Sequence, residues 1–323
     1  MSDPQPRQPF LSPTSILSPK NNPQTNTSLP PRFPYKIGYD AAGTVAAIGP
    51  SVTTLQVGDE IYSRIPSDYK GSAAEYALSQ EYAVAKKPAS LSFTQAASIP
   101  LAGLTALQAM RIADSQLEGG LEGKTVFVPA GLSGTGSIAV QLAKNVFGAG
   151  KVITTLSTGK IAKAKELLAD DGTLQIVDYT KEDVVKAVGR GQVDYMFDTM
   201  GQTLKVLPIL KSGGVIVSIG TVPSGDQMAK GMPGMPYIFR VMLNLVDWYY
   251  RWQAGRSGVK YSYMFMSPDA KGLNDFATWI QQGKIKPVVG RTAKFSDIDA
   301  VRKGCQEVYD GKGGIGKFVI EID

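Results

Sequence analysis

Apolar and polar positions follow two different patterns along this chain of 323 residues. Between residues 35 and 88 the apolar runs are short, rich in β-branched residues and separated by glycine and proline, which predicts strands joined by turns. We expect these strands at 43–48, 60–65, 72–78 and 82–86. From Ser92 to Ala113 the apolar spacing becomes that of a helix. Short strands with glycine turns are typical of a small barrel or a curled sheet.

Residues 124–220 alternate between apolar runs and helical periodicity. Strands are expected at 126–130, 152–155, 175–178, 193–198 and 214–219. Helices are expected around 137–147, 160–169, 181–188 and 203–210. This alternation predicts an α/β fold, with a parallel sheet that is covered by helices on both faces.

The pattern becomes mixed after residue 236. It predicts an aromatic helix at 237–252, a strand at 261–266, a helix at 272–282, a strand pair around 288–295, a helix at 298–309 and a last strand at 316–322. We expect this tail to return and complete the first domain, which places the active site in the cleft between domains.

The expected domains are therefore a barrel-type catalytic domain from 35–110 and 267–323, and a dinucleotide-binding domain from 111–266. Residues 1–34 contain nine prolines and many polar residues. Such a composition cannot bury enough apolar surface to offset the entropy of ordering, so we expect a disordered segment there.

The stretch KTVFVPAGLSGTGSIAVQLAK, residues 124–144, combines a strand, a turn of small residues and an apolar helix face. The N–H groups at such a helix start bind phosphate, and glycine lets the backbone approach it. Gly131 and Gly136 occupy the outer positions of a dinucleotide fingerprint, and Ser133 replaces the middle glycine. The candidate pyrophosphate ligands are Gly131, Ser133, Gly134, Thr135 and Gly136. The alternative is that a tight strand–helix turn needs these glycines for steric reasons alone.

The next apolar strand is followed by Ser157, Thr158 and Lys160. An acidic residue at this distance would bind the ribose 2′-hydroxyl of NAD, and none is present. Hydroxyls and an ammonium group suit a 2′-phosphate, so we favour NADP(H) as cofactor. The alternative is a polar loop whose Ser157 or Thr158 caps the following helix.

Composition excludes several kinds of chemistry. The chain has one cysteine, Cys305, and no histidine, so an internal disulfide, a His/Cys zinc site and a Ser-His-Asp nucleophile are all excluded. The net charge is +6, and no stretch concentrates the basic residues. We expect no metal, no nucleic acid partner and no membrane partner. The most apolar stretch, 237–250, is interrupted by polar residues, which favours a buried or interfacial helix in a cytoplasmic protein.

Four motifs together carry a family resemblance. They are IGYDAAGTVAAIGPSV, VGDEIY, AASIPLAGLTALQAM and GIGKFVIEI, in that order around the glycine turn. The chain resembles the medium-chain dehydrogenase/reductase superfamily, in its zinc-free quinone reductase and enoyl reductase branch. The resemblance implies a Rossmann-type doubly wound parallel sheet plus a chaperonin-10-like β-barrel domain, whose first strands are expected to be missing here. It also implies possible homodimers, formed through the strand at 261–266.

The resemblance also implies roles for individual residues. It places Ser157, Lys160 and Tyr179 at the adenosine end of the cofactor, and Ser218, Gly220, Thr105, Phe265 and Lys317 along the groove and at the nicotinamide end. For Tyr179 and Phe265 the alternative is ordinary core packing. Tyr39 stands where zinc-dependent relatives have a histidine ligand, so its phenol is a candidate donor to a substrate oxygen. Tyr39 and Thr105 are the candidate catalytic residues.

Together these observations predict a zinc-independent NADPH-dependent oxidoreductase that transfers hydride to a quinone or to an α,β-unsaturated carbonyl compound of apolar character. Two alternatives remain open at this point. One is an enoyl reductase of a biosynthetic pathway. The other is a catalytically impaired NADPH-binding protein, which the atypical N-terminal segment suggests.

Overall fold

The computed structural model describes residues 15–17, 36–69, 71–168, 172–232, 234–312 and 314–322. Its strands are β1 Ser15–Leu17, β2 Asp40–Thr44, β3 Glu60–Arg64, β4 Val84–Lys86, β5 Thr125–Val128, β6 Lys151–Leu156, β7 Leu174–Asp178, β8 Val193–Asp198, β9 Leu210–Ser218, β10 Lys260–Tyr263, β11 Val289–Lys294 and β12 Lys317–Glu321.

The α-helices are α1 Phe93–Ala97, α2 Pro100–Gln116, α3 Gly134–Asn145, α4 Ile161–Leu167, α5 Val184–Val188, α6 Thr203–Val206, α7 Gly225–Gly231, α8 Tyr237–Arg256, α9 Ala270–Gln281 and α10 Ile298–Tyr309. Short 3-10 helices occur at Ser67–Tyr69, Glu81–Ala83, Thr158–Lys160 and Leu207–Ile209.

The described residues form two compact units, divided after Leu104 and after Met266. The first unit contains a mixed sheet in the order β11-β12-β1-β2-β3-β4. The second contains the sheet β10-β9-β8-β5-β6-β7, in which each strand pairs in parallel with its neighbours. The core of the second sheet is built from fully buried side chains such as Phe127, Met196 and Ile216, because strands that are covered on both faces are continuously apolar.

Several predicted elements of the first unit differ from those observed. The strand predicted at 43–48 lies at Asp40–Thr44, because the chain buries the charged Asp40 at its start. The segment 72–78 is mainly loop, since the N–H groups of Ser72 and Ala73 donate to the carbonyl of Ile37 instead of to a neighbouring strand. The strand pair expected around 288–295 is one strand, β11, which pairs in parallel with β12.

Two further differences are a helix that is split in two and a strand that was not predicted. The helix expected over 92–113 is split into α1 and α2, and Pro100, which has no N–H to donate, is the first residue of α2. Ser15–Leu17 forms a strand between β12 and β2, which differs from the expectation of a disordered segment without barrel strands. The remainder of residues 1–34 lies outside the described part of the chain.

A buried ion pair joins two strands of the first unit. Lys317 at the start of β12 is 5% exposed, Asp40 at the start of β2 is 2% exposed, and Nζ lies 3.7 Å from Oδ2. The other carboxylate oxygen of Asp40 accepts the N–H of Leu101 at 2.7 Å. Burial raises the pKa of Asp40, against the attraction of Lys317 and Arg64, and burial lowers the pKa of Lys317. The attraction between the two charges therefore offsets part of the cost of burying each of them.

We expect Lys317→Met to lower the free energy of unfolding by about 3–5 kcal/mol near pH 7, because it leaves a buried carboxylate without its counter-ion. The folded-state pKa of Asp40 lies above its ordinary value, so the folded protein takes up a proton as the pH falls through that range. The loss should therefore be smaller near pH 5 than near pH 7. Urea unfolding at both values measures it. The double variant Asp40→Asn/Lys317→Met should recover part of the loss, and a loss that is independent of pH would contradict the pairing.

Candidate functional site

The parallel sheet has one point at which the chain reverses its direction of winding. Going outward from β5, the sheet continues through β6 and β7 on one side and through β8, β9 and β10 on the other. The loops that leave the carboxyl ends of β5 and β8 therefore diverge and leave a crevice between them. In doubly wound sheets ligands bind in this crevice.

The loop after β5 is the glycine turn that the sequence predicted. β5 ends at Val128, one residue before Pro129, and helix α3 begins at Gly134. A Cβ atom on Gly131 would lie 2.2 Å from Thr154 Oγ1, and one on Gly136 would lie 2.3 Å from the carbonyl oxygen of Ala130. Both outer glycines are thus required for the turn to close against its own surroundings.

Hydroxyl groups on both sides hold this turn. Thr154 Oγ1 donates to the Val128 carbonyl at 2.6 Å, and Thr155 Oγ1 accepts the N–H of Ala130 at 3.1 Å. From the other side Thr199 Oγ1 donates to the Pro129 carbonyl at 3.2 Å. The sequence analysis missed these three residues. The available signal was the pair of threonines inside the otherwise apolar run of β6, both of which are buried.

The first turn of α3 has N–H groups available for an anion. Ser133 is the N-cap, its hydroxyl accepts the N–H of Gly136 at 3.0 Å, and its own N–H donates to Ala130. Both polar groups of Ser133 therefore serve the turn itself, which differs from the direct phosphate contact that we expected. Among the described residues the N–H groups of Gly134 and Thr135 have no hydrogen-bond acceptor. These two donors, at the positive end of the helix dipole, fit a diphosphate.

The loops after β6 and β7 lie side by side. The N–H of Tyr179 donates to the Leu156 carbonyl at 3.2 Å, which brings Tyr179 next to the segment that contains Ser157 and Lys160. Tyr179 is 57% exposed, so it is not the core residue of the alternative interpretation. Ser157 precedes the 3-10 helix Thr158–Lys160, and its side chain makes no capping hydrogen bond. The structure thus brings together all three residues that were predicted at the adenosine end.

An acidic residue that the sequence analysis missed lies at the same place. Asp178 ends β7 and accepts hydrogen bonds from Thr158 Oγ1 at 2.5 Å and Thr180 Oγ1 at 2.6 Å. These bonds lower its pKa, so the group is a carboxylate. No acidic residue directly follows β6, as the sequence analysis found, but Asp178 ends the neighbouring strand, β7. The signal was present in the sequence, one residue before Tyr179.

The loops after β8 and β9 form the opposite side of the crevice. Asp198 is fully buried at the end of β8, and its carboxylate accepts N–H groups from Met200 and Thr203. Ser218 is also fully buried, and its hydroxyl accepts the N–H groups of Gly220 and Thr221 at 3.2 and 3.1 Å. Ser218 therefore holds the loop from beneath, whereas we expected its side chain to line the groove.

Phe265 and Thr105 also belong to the second unit. Phe265 follows β10, is 37% exposed, and packs edge-on against Tyr263 with ring centroids 5.1 Å apart. Met264, next to it, donates its N–H to the Ser218 carbonyl, which keeps Phe265 near the carboxyl edge of the sheet. Thr105 lies in α2 and is 6% exposed.

Two predicted residues belong to the first unit. Lys317 is the buried counter-ion of Asp40, which differs from the role at the nicotinamide end that we expected for it. Tyr39 is 9% exposed, and the guanidinium of Arg64 lies 4.8 Å from the centre of its ring. Within the described ranges no group of three or more His, Cys, Asp or Glu residues is arranged to hold a metal ion.

Comparisons with known proteins agree with this architecture. Residues 20–89 match the family model of the alcohol dehydrogenase GroES-like domain, and residues 172–312 match that of the zinc-binding dehydrogenases. The quinone oxidoreductase from Coxiella burnetii has a similar structure, with a TM-score of 0.76 and 25% identity over 99% of this chain and 93% of that one. The CurK enoyl reductase shares the fold with a TM-score of 0.70 at 20% identity, covering 100% of this chain and 94% of that one.

Two curated relatives come from plants. The 2-methylene-furan-3-one reductase of Solanum lycopersicum is 34% identical over 88% of this chain and 62% of its own length. The NADPH-dependent alkenal/one oxidoreductase, chloroplastic, of Arabidopsis thaliana is 36% identical over 56% of this chain and 46% of its own length. The chain thus spans only about half to three fifths of these relatives. By its sheet order, its glycine turn and these matches, the chain belongs to the medium-chain dehydrogenase/reductase superfamily, and the proteins it is similar to include quinone and enone reductases.

Proposed function

We propose that this protein is a zinc-independent NADPH-dependent oxidoreductase that reduces a quinone or an α,β-unsaturated carbonyl compound. The observation that carries the proposal is the start of α3 at the crevice of the parallel sheet, where the N–H groups of Gly134 and Thr135 have no acceptor within the described ranges. The plant relatives, whose names include an enone and an alkenal substrate, support the substrate class.

The residues of the turn divide the work of binding. Gly134 and Thr135 donate their N–H groups to the pyrophosphate, while Gly131 and Gly136 allow the turn to close. Ser133 caps the helix and so fixes the direction in which those donors point. A bound nicotinamide cofactor supplies the hydride, and the protein positions it and excludes water.

Discrimination between NADPH and NADH depends on two opposite charges. Lys160 and the hydroxyl of Ser157 favour a 2′-phosphate, whereas the carboxylate of Asp178 opposes it. Both carboxylate oxygens of Asp178 already accept hydroxyl donors, Thr158 on one and Thr180 on the other. Asp178 is also 7% exposed, which leaves little of it available to a ribose hydroxyl. We therefore assign the preference to Lys160, with the exposed ring of Tyr179 beside the adenosine.

The nicotinamide end has fewer candidates. Thr105 is proposed to orient the nicotinamide, with Gly220 and Phe265 along the groove, and Ser218 is proposed to support Gly220 from beneath. We assign Lys317 to its ion pair in place of a cofactor contact. The role of the Tyr39 phenol as a hydrogen-bond donor to a substrate oxygen stays a prediction. The open edge of β10, which ends its sheet, is the surface that we propose for pairing with a second copy.

We expect Lys160→Ala to weaken NADPH binding roughly 10- to 100-fold, because a charge-assisted hydrogen bond contributes about 1.5–3 kcal/mol. The affinity for NADH should change less than about twofold. Titration of both cofactors by fluorescence measures the two dissociation constants. Lys163→Ala is the matched control, since that exposed lysine on α4 pairs with Glu166 and should leave both values unchanged. Equal affinity of the wild-type protein for NADPH and NADH would contradict the 2′-phosphate assignment.

We expect turnover of quinones or of α,β-unsaturated ketones and aldehydes with NADPH, followed as loss of NADPH absorbance. Thr105→Val should lower kcat roughly 10- to 100-fold, because a small misplacement of the reacting groups has an effect of that size. Ser115→Ala, on the exposed side of the same helix, is the control and should keep full activity. If the protein binds NADPH but reduces neither quinones nor α,β-unsaturated carbonyl compounds, the proposal of an enzyme is wrong and an NADPH-binding protein without catalysis is favoured.

A further inference from the structure

Helix α8 packs on its own unit through only one side. Asp247 and Ala254 are buried, and Tyr250 stacks on Tyr261 of β10 with ring centroids 5.6 Å apart. These three residues are separated by three, four and seven positions, so they lie on one side of the helix. The inward side is thus identified, and it contains the only acidic residue of α8, Asp247.

The opposite side of α8 is apolar and exposed. Its residues recur at helical spacing and are between 42% and 63% exposed: Ile238, Met242, Leu245, Trp248, Tyr249 and Trp252. We call this set the outer face. At about 100° per residue all six lie within an arc of about 120° on the side away from Asp247. The helix is therefore amphipathic, but among the described residues its apolar stripe points to solvent.

The apolar area of this surface is at the upper end of the range found on single proteins. Aromatic side chains have about 150–250 Å² each, so half exposure of six large residues amounts to roughly 600 Å². The largest apolar patch of a typical monomer is about 300–600 Å² and is often functional. Three of the six residues are Trp or Tyr, which combine an apolar ring with a polar tip and are enriched where water meets lipid.

The segment that contains the outer face has an excess of positive charge. Residues 225–256 contain four basic residues, Lys230, Arg240, Arg251 and Arg256, and two acidic ones. Both acidic residues are in ion pairs, Asp226 with Arg240 and Asp247 with Arg251, each at 2.6 Å. The guanidinium of Arg256 lies 5.0 Å from the ring centre of Trp252, at the end of the face itself. The four basic and two acidic residues leave this segment a net charge of +2, with Arg256 at the end of the outer face, so an apolar occupant with anionic groups fits this surface.

We propose that the outer face of α8 docks the protein onto an anionic phospholipid surface, with the helix lying in the plane of the interface. A helix with Trp and Leu on one side and basic residues beside them has the composition of interfacial helices. No helix in the described part of the chain is both long and apolar enough to cross a membrane, so α8 would lie on the bilayer. This proposal departs from our expectation from the sequence that the protein has no membrane partner.

A second copy of the chain fits the surface less well. A two-fold dimer places the same patch of both copies together, so the net positive charge of residues 225–256 in one copy would face the same charge in the other. The whole chain has a net charge of +6, which adds to that repulsion and equally to attraction by an anionic bilayer. The proposed pairing through the β10 edge uses other groups, the backbone N–H and C=O of that strand.

Flotation of the full-length protein with vesicles tests the proposal. We expect the protein to float with vesicles of phosphatidylcholine and phosphatidylserine, to be released by high salt, and to bind vesicles of phosphatidylcholine alone much less. Leu245→Ser/Trp248→Ser should lower the bound fraction at least about tenfold, since it removes apolar groups that insert into the lipid. Arg256→Glu should also weaken binding, and more so at low salt.

Two control variants test whether the loss of vesicle binding is specific to α8 or follows from any change of an exposed aromatic or basic residue. Tyr309→Ser removes a 69% exposed aromatic ring from the first unit, and Arg302→Glu reverses an arginine whose side chain is 78% exposed; both should bind like wild type. Circular dichroism checks that each variant is folded. The proposal is overturned if the wild type does not float, or if the double variant floats equally well. It is also overturned if the wild type binds no vesicles and sedimentation shows a dimer that Leu245→Ser/Trp248→Ser dissociates into monomers.

Discussion

The turn between β5 and α3 depends on a close approach that only glycine permits, and the neighbouring strands maintain it with hydroxyl groups. Pro129 has no N–H with which to bond the neighbouring strands, and Gly131 leaves the backbone conformationally free, so the turn needs hydrogen bonds from outside it. Thr154, Thr155 and Thr199 compensate by bonding its carbonyl and N–H groups from both sides. These three contacts fix the turn, and the Ser133 cap then fixes the direction of the α3 donors.

On the far side of the crevice, side-chain hydrogen bonds from other residues likewise hold the loop backbone. There Asp198 and Ser218, both fully buried, bond the N–H groups of the loops after β8 and β9. A buried carboxylate or hydroxyl is costly unless its bonding capacity is used, and here loop backbone groups use it. Because polar side chains buried beneath hold both rims, the residues that face a ligand can be small.

Periodicity predicted most of the second unit because its strands are buried on both faces. The run Val193–Asp198 has the bounds that its pattern indicated. In the first unit the helix Ile298–Tyr309 also has its predicted bounds. The first unit was harder, since its strand β2 starts on the buried Asp40, whose ion-pair partner Lys317 lies 277 positions later in the chain. A local window cannot contain such a pair, and it cannot show that Ser72 donates its N–H to Ile37 and not to a neighbouring strand.

In the candidate site too, some residues could be predicted from local sequence and others could not. Glycines and Lys160 were visible as a motif, whereas Asp178 and Thr158 meet only because β6 and β7 are neighbours in the sheet. Helix α8 is the clearest case, because its periodicity is evident in the sequence but does not say which side is inward. One would place the stripe of Leu245 and Trp248 in the core, yet the packing contacts come from Tyr250 and Ala254. An apolar stripe that the fold itself leaves exposed costs free energy in water, and that cost is offset only when a surface outside the chain covers it.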